Sequence, residues 1–359
     1  MRDKTEEHNV LSEKKSEKMG NGKPNVQTEF MGVCSVVIPA YNAEQTIAET
    51  VAACLAQNIP NDELEVIVVD DGSTDATARI VRGFPVRVLR QENAGPAKAR
   101  NAGWRAARGE LICFTDADCI PHPDWISKLM AAYDGEGRIG AVGGSYDIAN
   151  PGSFLAECVH QEIVSRHAGM PRKVRALGAY NLSVRRSILK EIGGFSEAYR
   201  FASGEDNDLC YEIIKRDHGL IFEREALVAH HHPERLGRYL MEQARHGYWR
   251  VKLYERHPGM MKGDDYTSRK DIVEPPLCLM VLGALVFIWA PIMGWIFAGA
   301  LLLDVGLQFK MACRICRRKQ RLKFAYLAWV TFLRGFARGL GMLGGLMRRV
   351  FPRKRVGTR

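Results

Sequence analysis

Val68-Val69-Asp70-Asp71-Gly72-Ser73-Thr74-Asp75 is the stretch that decides the fold. An apolar run of strand length, 64–69, stops abruptly in acids, a glycine and hydroxyl residues. That is how a strand ends in a turn before a helix. Outward from it, the same arrangement recurs: apolar runs at 34–38, 86–89 and 110–114 alternate with helical stretches at 44–57, 74–82 and 96–107. Strands alternating with helices predict an α/β fold with a mostly parallel, doubly wound sheet. Such sheets bind ligands at the carboxyl ends of their strands.

The first strand ends in Pro39-Ala40-Tyr41-Asn42, the second in Asp70-Asp71, and the fourth in Thr115-Asp116-Ala117-Asp118. Asp, Gly, Ser and Thr after a strand also make turns and helix caps. Ser73 and Thr74 fit that simpler role, and Asp75 suits the positive end of a helix. The Asp116/Asp118 pair resists it. Alternate residues of an extended chain point the same way, and adjacent carboxylates repel unless a proton or cation intervenes. A hard divalent ion, its shell completed by phosphate oxygens, relieves that repulsion. After the third strand, Asn93-Ala94-Gly95-Pro96-Ala97-Lys98-Ala99-Arg100 places Gly95 for close backbone approach and Pro96 in a first helical turn. Lys98 and Arg100 there read equally as phosphate ligands near a helix N-terminus and as a solvated basic face.

The chain has 359 residues, 46% of them hydrophobic. It fits one large α/β domain with an appendage, or two domains, and its core needs no disulfide or zinc staple. Nine scattered cysteines, an odd number, read as reduced thiols of a cytosolic-facing protein. The net charge of +10 is unevenly placed: residues 310–359 hold fifteen Lys/Arg and no Asp/Glu, leaving 36 basic against 41 acidic in residues 1–309. A basic tail suits nucleic acid or anionic lipid. Its neighbour favours lipid, because 277–303 is 27 residues without a charge, and roughly 20 apolar residues span a bilayer. The positive-inside tendency favours a hairpin bent near Pro291 over a single span. The stretch 324–350 mixes Trp329, Phe332, Leu333 and Phe336 with Arg334, Arg338, Arg348 and Arg349, and predicts an interfacial helix on anionic lipid. The expected organisation is a disordered leader over 1–32 with no secretory signal, a catalytic domain over 33–260, a linker over 261–276, a membrane hairpin or transmembrane segment over 277–309 and a basic interfacial tail over 310–359.

Seven pieces, in order, resemble the family 2 glycosyltransferases: VVIPAYN (36–42), VVDDGSTD (68–75), NAGPAKARNAG (93–103), the Asp-x-Asp at 116–118, GAYNLSVRRS (178–187), GGF (193–195) and GEDNDLCYEI (204–213). The resemblance spans about 33–250. It implies the GT-A nucleotide-diphospho-sugar transferase fold (Rossmann-like), to which the hydropathy reading above adds C-terminal membrane-associated helices. It implies that Pro39, Tyr41 and Glu44 line the nucleotide pocket and that Asp70 or Asp71, preferably Asp71, holds the base. It places Asp116 with the nucleotide sugar, where Lys98 and Arg100 join it on the helix N-terminus reading above, and Asp118 on Mn2+ or Mg2+ at the diphosphate. Asp206 matches the family's catalytic base, while Gly178, Asn181 and Glu205 shape the donor-sugar and acceptor pocket. Glu205-Asp206 after Gly204 also reads as a helix start.

Inverting transfer needs a base on the acceptor hydroxyl and stabilisation of the departing diphosphate, which Asp206 and a divalent ion supply. His230-His231-His232 offers a further metal ligand, His230 or His232, or a hydrogen-bonded cluster without one. Processive members carry Gln-x-x-Arg-Trp beside the acceptor channel. Here the region reads Gln243-Ala244-Arg245-His246-Gly247-Tyr248-Trp249, so the Arg-Trp pair is missing and single-sugar transfer is the better reading. The expected enzyme is a membrane-bound, metal-dependent, inverting glycosyltransferase with its catalytic domain on the cytoplasmic side. Its expected partners are a nucleoside-diphosphate-sugar, a lipid-linked or envelope saccharide acceptor and an anionic membrane surface, with no nucleic acid. The alternatives are a polyprenyl-phosphate sugar synthase and a non-catalytic membrane scaffold.

Overall fold

Apolar runs become strands where both faces are covered. In the computed structural model, every residue of β1 (Cys34–Ala40) is buried, as are the last six residues of β2 (Leu64–Asp70) and all of β4 (Leu111–Thr115). β3 (Arg87–Arg90) is more exposed, at the sheet edge. The described residues are 33–350 apart from 135–136, 202, 268, 287–290 and 320–324. The leader expected over 1–32 and the end of the tail lie outside them. Between the strands run α1 (Ile47–Leu55), α2 (Thr77–Val81) and α3 (Pro96–Ala106). β1 pairs in parallel with β2 and β4, and β2 with β3, so the first part is the parallel α/β layer that the sequence predicts. α3 starts at Pro96, whose missing N–H costs nothing in a first turn. Gly95 before it has φ +95°, and a Cβ there would collide with the carbonyl of Arg200.

The rest of the catalytic region contributes β5 (Cys119–Pro121), α4 (Trp125–Ala131), β6 (Ile139–Ile148), α5 (Phe154–His167), β7 (Lys173–Val174), β8 (Asn181–Arg185), α6 (Arg186–Ile192), α7 (Glu205–Ile214) and β9 (Gly219–His230). The sheet order is β3-β2-β1-β4-β8-β6-β9-β5, with β7 on β9. β8 enters antiparallel between β4 and β6, and its first residue, Asn181, lies opposite Thr115 at the end of β4. The loop before β8 therefore reaches the same sheet end as Asp116. β5 lies antiparallel to β9 with Cys119 opposite His230. Both placements bring sequence-distant polar residues to one edge. Beneath them Val37, Ile67, Ile112, Phe114 and Leu182 are fully buried.

Four helices complete the chain: α8 (Leu236–Arg256), α9 (Arg269–Val286), α10 (Pro291–Lys319) and α11 (Tyr326–Val350). α8 and α11 run side by side in one direction and touch backbone to backbone. A Cβ on Gly247 would strike the carbonyl of Arg338, and one on Gly341 that of Ala244. α9 and α10 are antiparallel: Leu277 and Val281 pack on Ala300 and Phe297, and Glu274 accepts from Gln308 at 2.8 Å.

These helices correct three expectations. Residues 261–276 are no linker, since α9 begins at Arg269 and carries Pro275 and Pro276 inside it. Tertiary ion pairs from Asp271 to Arg166 and Arg338 hold that first turn against the helix-breaking prolines. Against the membrane hairpin or transmembrane segment expected over 277–309, no helix among the described residues is long and apolar enough to cross a membrane. The physical reason lies in α10, whose later half carries Asp304, Gln308 and a run of Lys and Arg, with Asp304 and Gln308 turned inward. Lastly, Arg334 and Arg338 of α11 do not face lipid. Arg334 is 2% exposed and pairs with Glu162; Arg338 pairs with Asp271 at 3.2 Å.

Candidate active site

Strand β4 delivers Asp116 to the sheet edge, and α3 delivers Arg100 beside it. The Arg100 guanidinium donates to Asp116 at 2.7 Å and to Glu205, first residue of α7, at 2.8 Å. Arg100 is 2% exposed. It therefore ties the Asp-x-Asp to the Glu205-Asp206 pair from beneath and is less a free phosphate ligand than the sequence suggests. Glu205 also accepts the N–H of Ser203 at 2.7 Å. Burial, then the adjacent Asp206 charge, pushes the Glu205 carboxyl up. Burial likewise raises Asp206, against the opposing N–H of Asn207, which donates to its Oδ1 at 2.8 Å. A raised carboxyl beside a cavity is suited to proton transfer near neutral pH.

The pairing of β5 with β9 sets Asp118 3.6 Å from His230 Nε2. Burial pushes Asp118 up, but the His230 imidazole outweighs it and the net direction is down. Burial opposes the His230 imidazolium in turn, and the Asp118 charge more than offsets it, so His230 is raised. Ligand atoms of Asp118, Cys119 and His230 lie within 4.8 Å of one another. Burial holds the Cys119 thiol well above its usual range, so it stays protonated and is a poor ligand for a hard ion. Asp118 and His230 offer an oxygen and a nitrogen ligand that would suit a divalent ion.

A cavity of about 360 Å³ opens between this edge and α8, lined by Arg100, Asp116, Glu205, Asp206 and His230 on one side. Gly178 and Tyr180 of the loop before β8 also line it. Tyr180 stacks on Tyr146 with ring centroids 3.7 Å apart, a flat apolar wall suited to a sugar face. His232 joins His230 Nδ1 to Nδ1 at 2.9 Å. Burial, then the neighbouring His230, drives His232 down to about 2, so it sits neutral.

Several sequence candidates lie elsewhere. Pro39 is buried, while Tyr41, Glu44 and Lys98 are exposed outside the cavity lining. Glu44 accepts the N–H of Ala76 at 2.9 Å. Asp70 takes the N–H of Ser73 at 2.9 Å and pairs with Arg90 at 3.3 Å. Asp71 is spent on the backbone N–H groups of Ala94 and Gly95, both at 2.9 Å, and on Gln91 at 2.6 Å. Its carboxylate holds the 93–96 turn in place. Asn181 does not face the pocket: it accepts from Trp125 at 2.7 Å and donates to the carbonyls of Ser145 and Ala226, wholly buried. Asp75 stands two residues before α2 and accepts the N–H of Thr77, the first residue of that helix, at 2.9 Å.

The far wall is formed by Gln243, His246 and Arg250 of α8 and Arg338 of α11. The resemblance sets the 243–249 region beside an acceptor channel, but sequence reasoning missed Arg250 and Arg338 as wall residues, because basic residues inside amphipathic helices resemble a solvated or lipid-facing stripe.

Comparison with known proteins bears on this geometry. The family described as Glycosyl transferase family 2 matches residues 35–192. Glycosyltransferase AglE of Haloferax volcanii is 28% identical over 235 residues, covering 63% of this chain and 76% of its own length. The probable glycosyltransferase YdaM of Bacillus subtilis is 29% identical over 216 residues, covering 56% of this chain and 51% of its own. The chain thus spans about half of the second relative. In fold it is similar to mannosyltransferase PcManGT of Pyrobaculum calidifontis, solved with GDP-Man and Mn2+, with a TM-score of 0.53 at 19% identity over 92% of each chain. The α/β sheet, with its parallel strands and antiparallel β8, is accordingly a GT-A-type fold. Taken with the match of residues 35–192 to that family's model, these similarities make the chain a glycosyltransferase.

Proposed function

We propose that this glycosyltransferase moves one sugar from a nucleoside-diphosphate-sugar to a hydroxyl of a lipid-linked or envelope saccharide acceptor, with inversion at the anomeric carbon. The observation that carries this reading is the single cavity lined by Asp206, Asp116 and His230, with Asp118 against His230. The GDP-Man and Mn2+ held by the Pyrobaculum enzyme support a nucleotide-sugar donor and a divalent ion.

Asp206, raised by burial, takes the proton of the acceptor hydroxyl as that oxygen attacks the anomeric carbon. The new carbon–oxygen bond forms as the bond to the diphosphate breaks. Arg100 compensates Asp116 and Glu205, so that carboxylates gathered at one edge are tolerated there. Tyr146 and Tyr180 give the sugar an apolar face. Asp118 and His230 are the residues that would hold Mn2+ or Mg2+, which stabilises charge on a leaving diphosphate.

The membrane part of the reading rests on α10. Ile292, Trp295, Leu302, Leu303 and Phe309 recur at helical spacing and all point outward, Trp295 being 80% and Leu302 72% exposed. Ala300, Asp304, Gln308 and Ala312 form the buried face. An apolar stripe turned to the outside and followed by a basic run fits shallow docking on an anionic membrane. The catalytic domain would lie on the cytoplasmic side. The test is nucleoside diphosphate release from a panel of nucleotide sugars, with a lipid extract, in Mn2+ or EDTA. Release that needs the metal and one donor supports the proposal; no release with any donor, while nucleotide fails to bind, overturns it.

A further inference from the structure

Beyond the reacting end, the cavity continues into a recess of about 90 Å³ between α5, α8 and α11, lined by Arg166, Arg250, Arg334 and Arg338 against only two carboxylates, Glu162 and Asp271. These guanidinium groups are not equally satisfied. Arg166 is clamped by Glu162 and Asp271, both at 2.7 Å. Arg338 donates to Gln243 at 2.9 Å and to Asp271 at 3.2 Å. Arg334 gives one nitrogen to Glu162, while its Nε and Nη2 have no hydrogen-bond partner although the side chain is 2% exposed. Glu274 Oε2 stands 3.8 Å from Arg334 Nη2, an ion pair too long for a hydrogen bond, while its Oε1 accepts from Gln308. Arg250 donates to two hydroxyls, Thr267 at 3.3 Å and Tyr254 at 3.5 Å, and its charge also faces Asp264 and Asp271. Nearby Asp264 is turned to the N–H groups of Tyr266 and Thr267.

Glu162, Asp271 and Glu274 all face these arginines, yet Arg334 keeps two buried N–H groups without an acceptor in hydrogen-bond range, and a buried donor left unpaired is costly. Burial, then Arg334, lowers Arg338 from the usual arginine range, as crowded cations do. Forked guanidinium donors match the oxygens of phosphate. Arg250, Arg338 and Gln243 line both the recess and the cavity that holds Asp206.

We infer that this recess is a subsite for a phosphate group carried by the acceptor, bound by Arg250, Arg334 and Arg338 while the acceptor hydroxyl lies at Asp206. This rests on the transferase reading for the word acceptor, but the anion site stands on its own geometry. The phosphate is a lipid headgroup or belongs to a soluble phosphorylated molecule; the chemistry at the arginines is the same.

The test is equilibrium binding to the full chain by titration calorimetry in EDTA, without nucleotide sugar. The probes are inorganic phosphate, decyl phosphate below its micellar concentration, and decanol. Saturable phosphate binding is expected, weakened tenfold or more by Arg250→Gln, largely kept in Arg250→Lys and unchanged in Asp118→Asn. Decyl phosphate binding at least tenfold tighter than phosphate assigns the site to a lipid headgroup, and equal affinity to a soluble molecule; decanol binds in neither case. The hydrogen bonds of Arg250 are long ones to hydroxyls, so its replacement is structurally mild, and circular dichroism checks the fold. Absence of phosphate binding, its survival in Arg250→Gln, or its loss in Asp118→Asn overturns the inference. Because no donor or metal takes part, this failure is distinct from a failure of sugar transfer, which nucleotide release reads.

Discussion

Arg100 and Glu205 meet at 2.8 Å with side chains 2% and 3% exposed, joining the third helix of the parallel layer to the start of α7 across 105 residues of sequence. The pair fixes where Asp206 stands, because Asp206 follows Glu205 on the same first turn. Replacing one member of a buried pair strands the other charge. Arg100→Met leaves both Glu205 and Asp116 uncompensated, and is expected to cost about 3–5 kcal/mol. Urea denaturation checks this; a midpoint within error of wild type would show that the pair does not hold the site together.

The parallel layer was legible because each strand end there combines a buried apolar run with turn residues. Asp116 and Asp118 were placed at the sheet edge by the strand end before them, whereas Asp206 was singled out through the family resemblance and His230 through its histidine cluster. Asn181 was not legible, because one residue of register decides whether it faces the pocket or the core, and β8 turns it toward Trp125. Asp71 looked free for a ligand, but the glycine turn at 94–95 takes both its oxygens. Arg334 and Arg338 were misread because their partners, Glu162 and Asp271, come from two other helices. A helical period reports a face and not what that face meets.

Acid should destabilise the fold through His167. Burial, then Arg166, lowers its imidazole to about 4, and its Nδ1 shares a 2.7 Å hydrogen bond with Ser145 Oγ. The unfolded chain binds a proton near pH 6.5 and the folded one does not until about pH 4. The penalty is therefore absent above about pH 6.5 and grows as pH falls, reaching roughly 3 kcal/mol near pH 4. Unfolding free energies across that window should drop in wild type and drop less in His167→Gln. Equal slopes would contradict the assignment.

The contact of α8 with α11 leaves no room at Gly341, where a Cβ meets the carbonyl of Ala244. Overpacking of this kind costs about 1–3 kcal/mol. Gly341→Ala should lower the thermal midpoint, and Gly283→Ala, where a Cβ meets nothing within 4 Å, should not. A stable Gly341→Ala protein would mean that the two helices separate more readily than their packing suggests.

The outward stripe of α10 should bind vesicles. Flotation with phosphatidylglycerol vesicles is expected to carry the protein up, and Trp295→Glu with Leu302→Glu is expected to leave it at the bottom of the gradient. Both side chains are largely exposed, so the double variant should fold normally. Unchanged flotation would remove the stripe from the membrane reading.

The most direct measurement compares nucleoside diphosphate release by wild type and Asp206→Asn, with the active donor and lipid extract at saturating Mn2+. Removing a general base typically costs about 100-fold or more in rate. The expected result is that loss in kcat, with the donor KM nearly unchanged, since the amide keeps the size of the side chain and its place on α7. Wild-type turnover in Asp206→Asn would contradict the account, because the raised carboxyl facing the cavity would then not be the base.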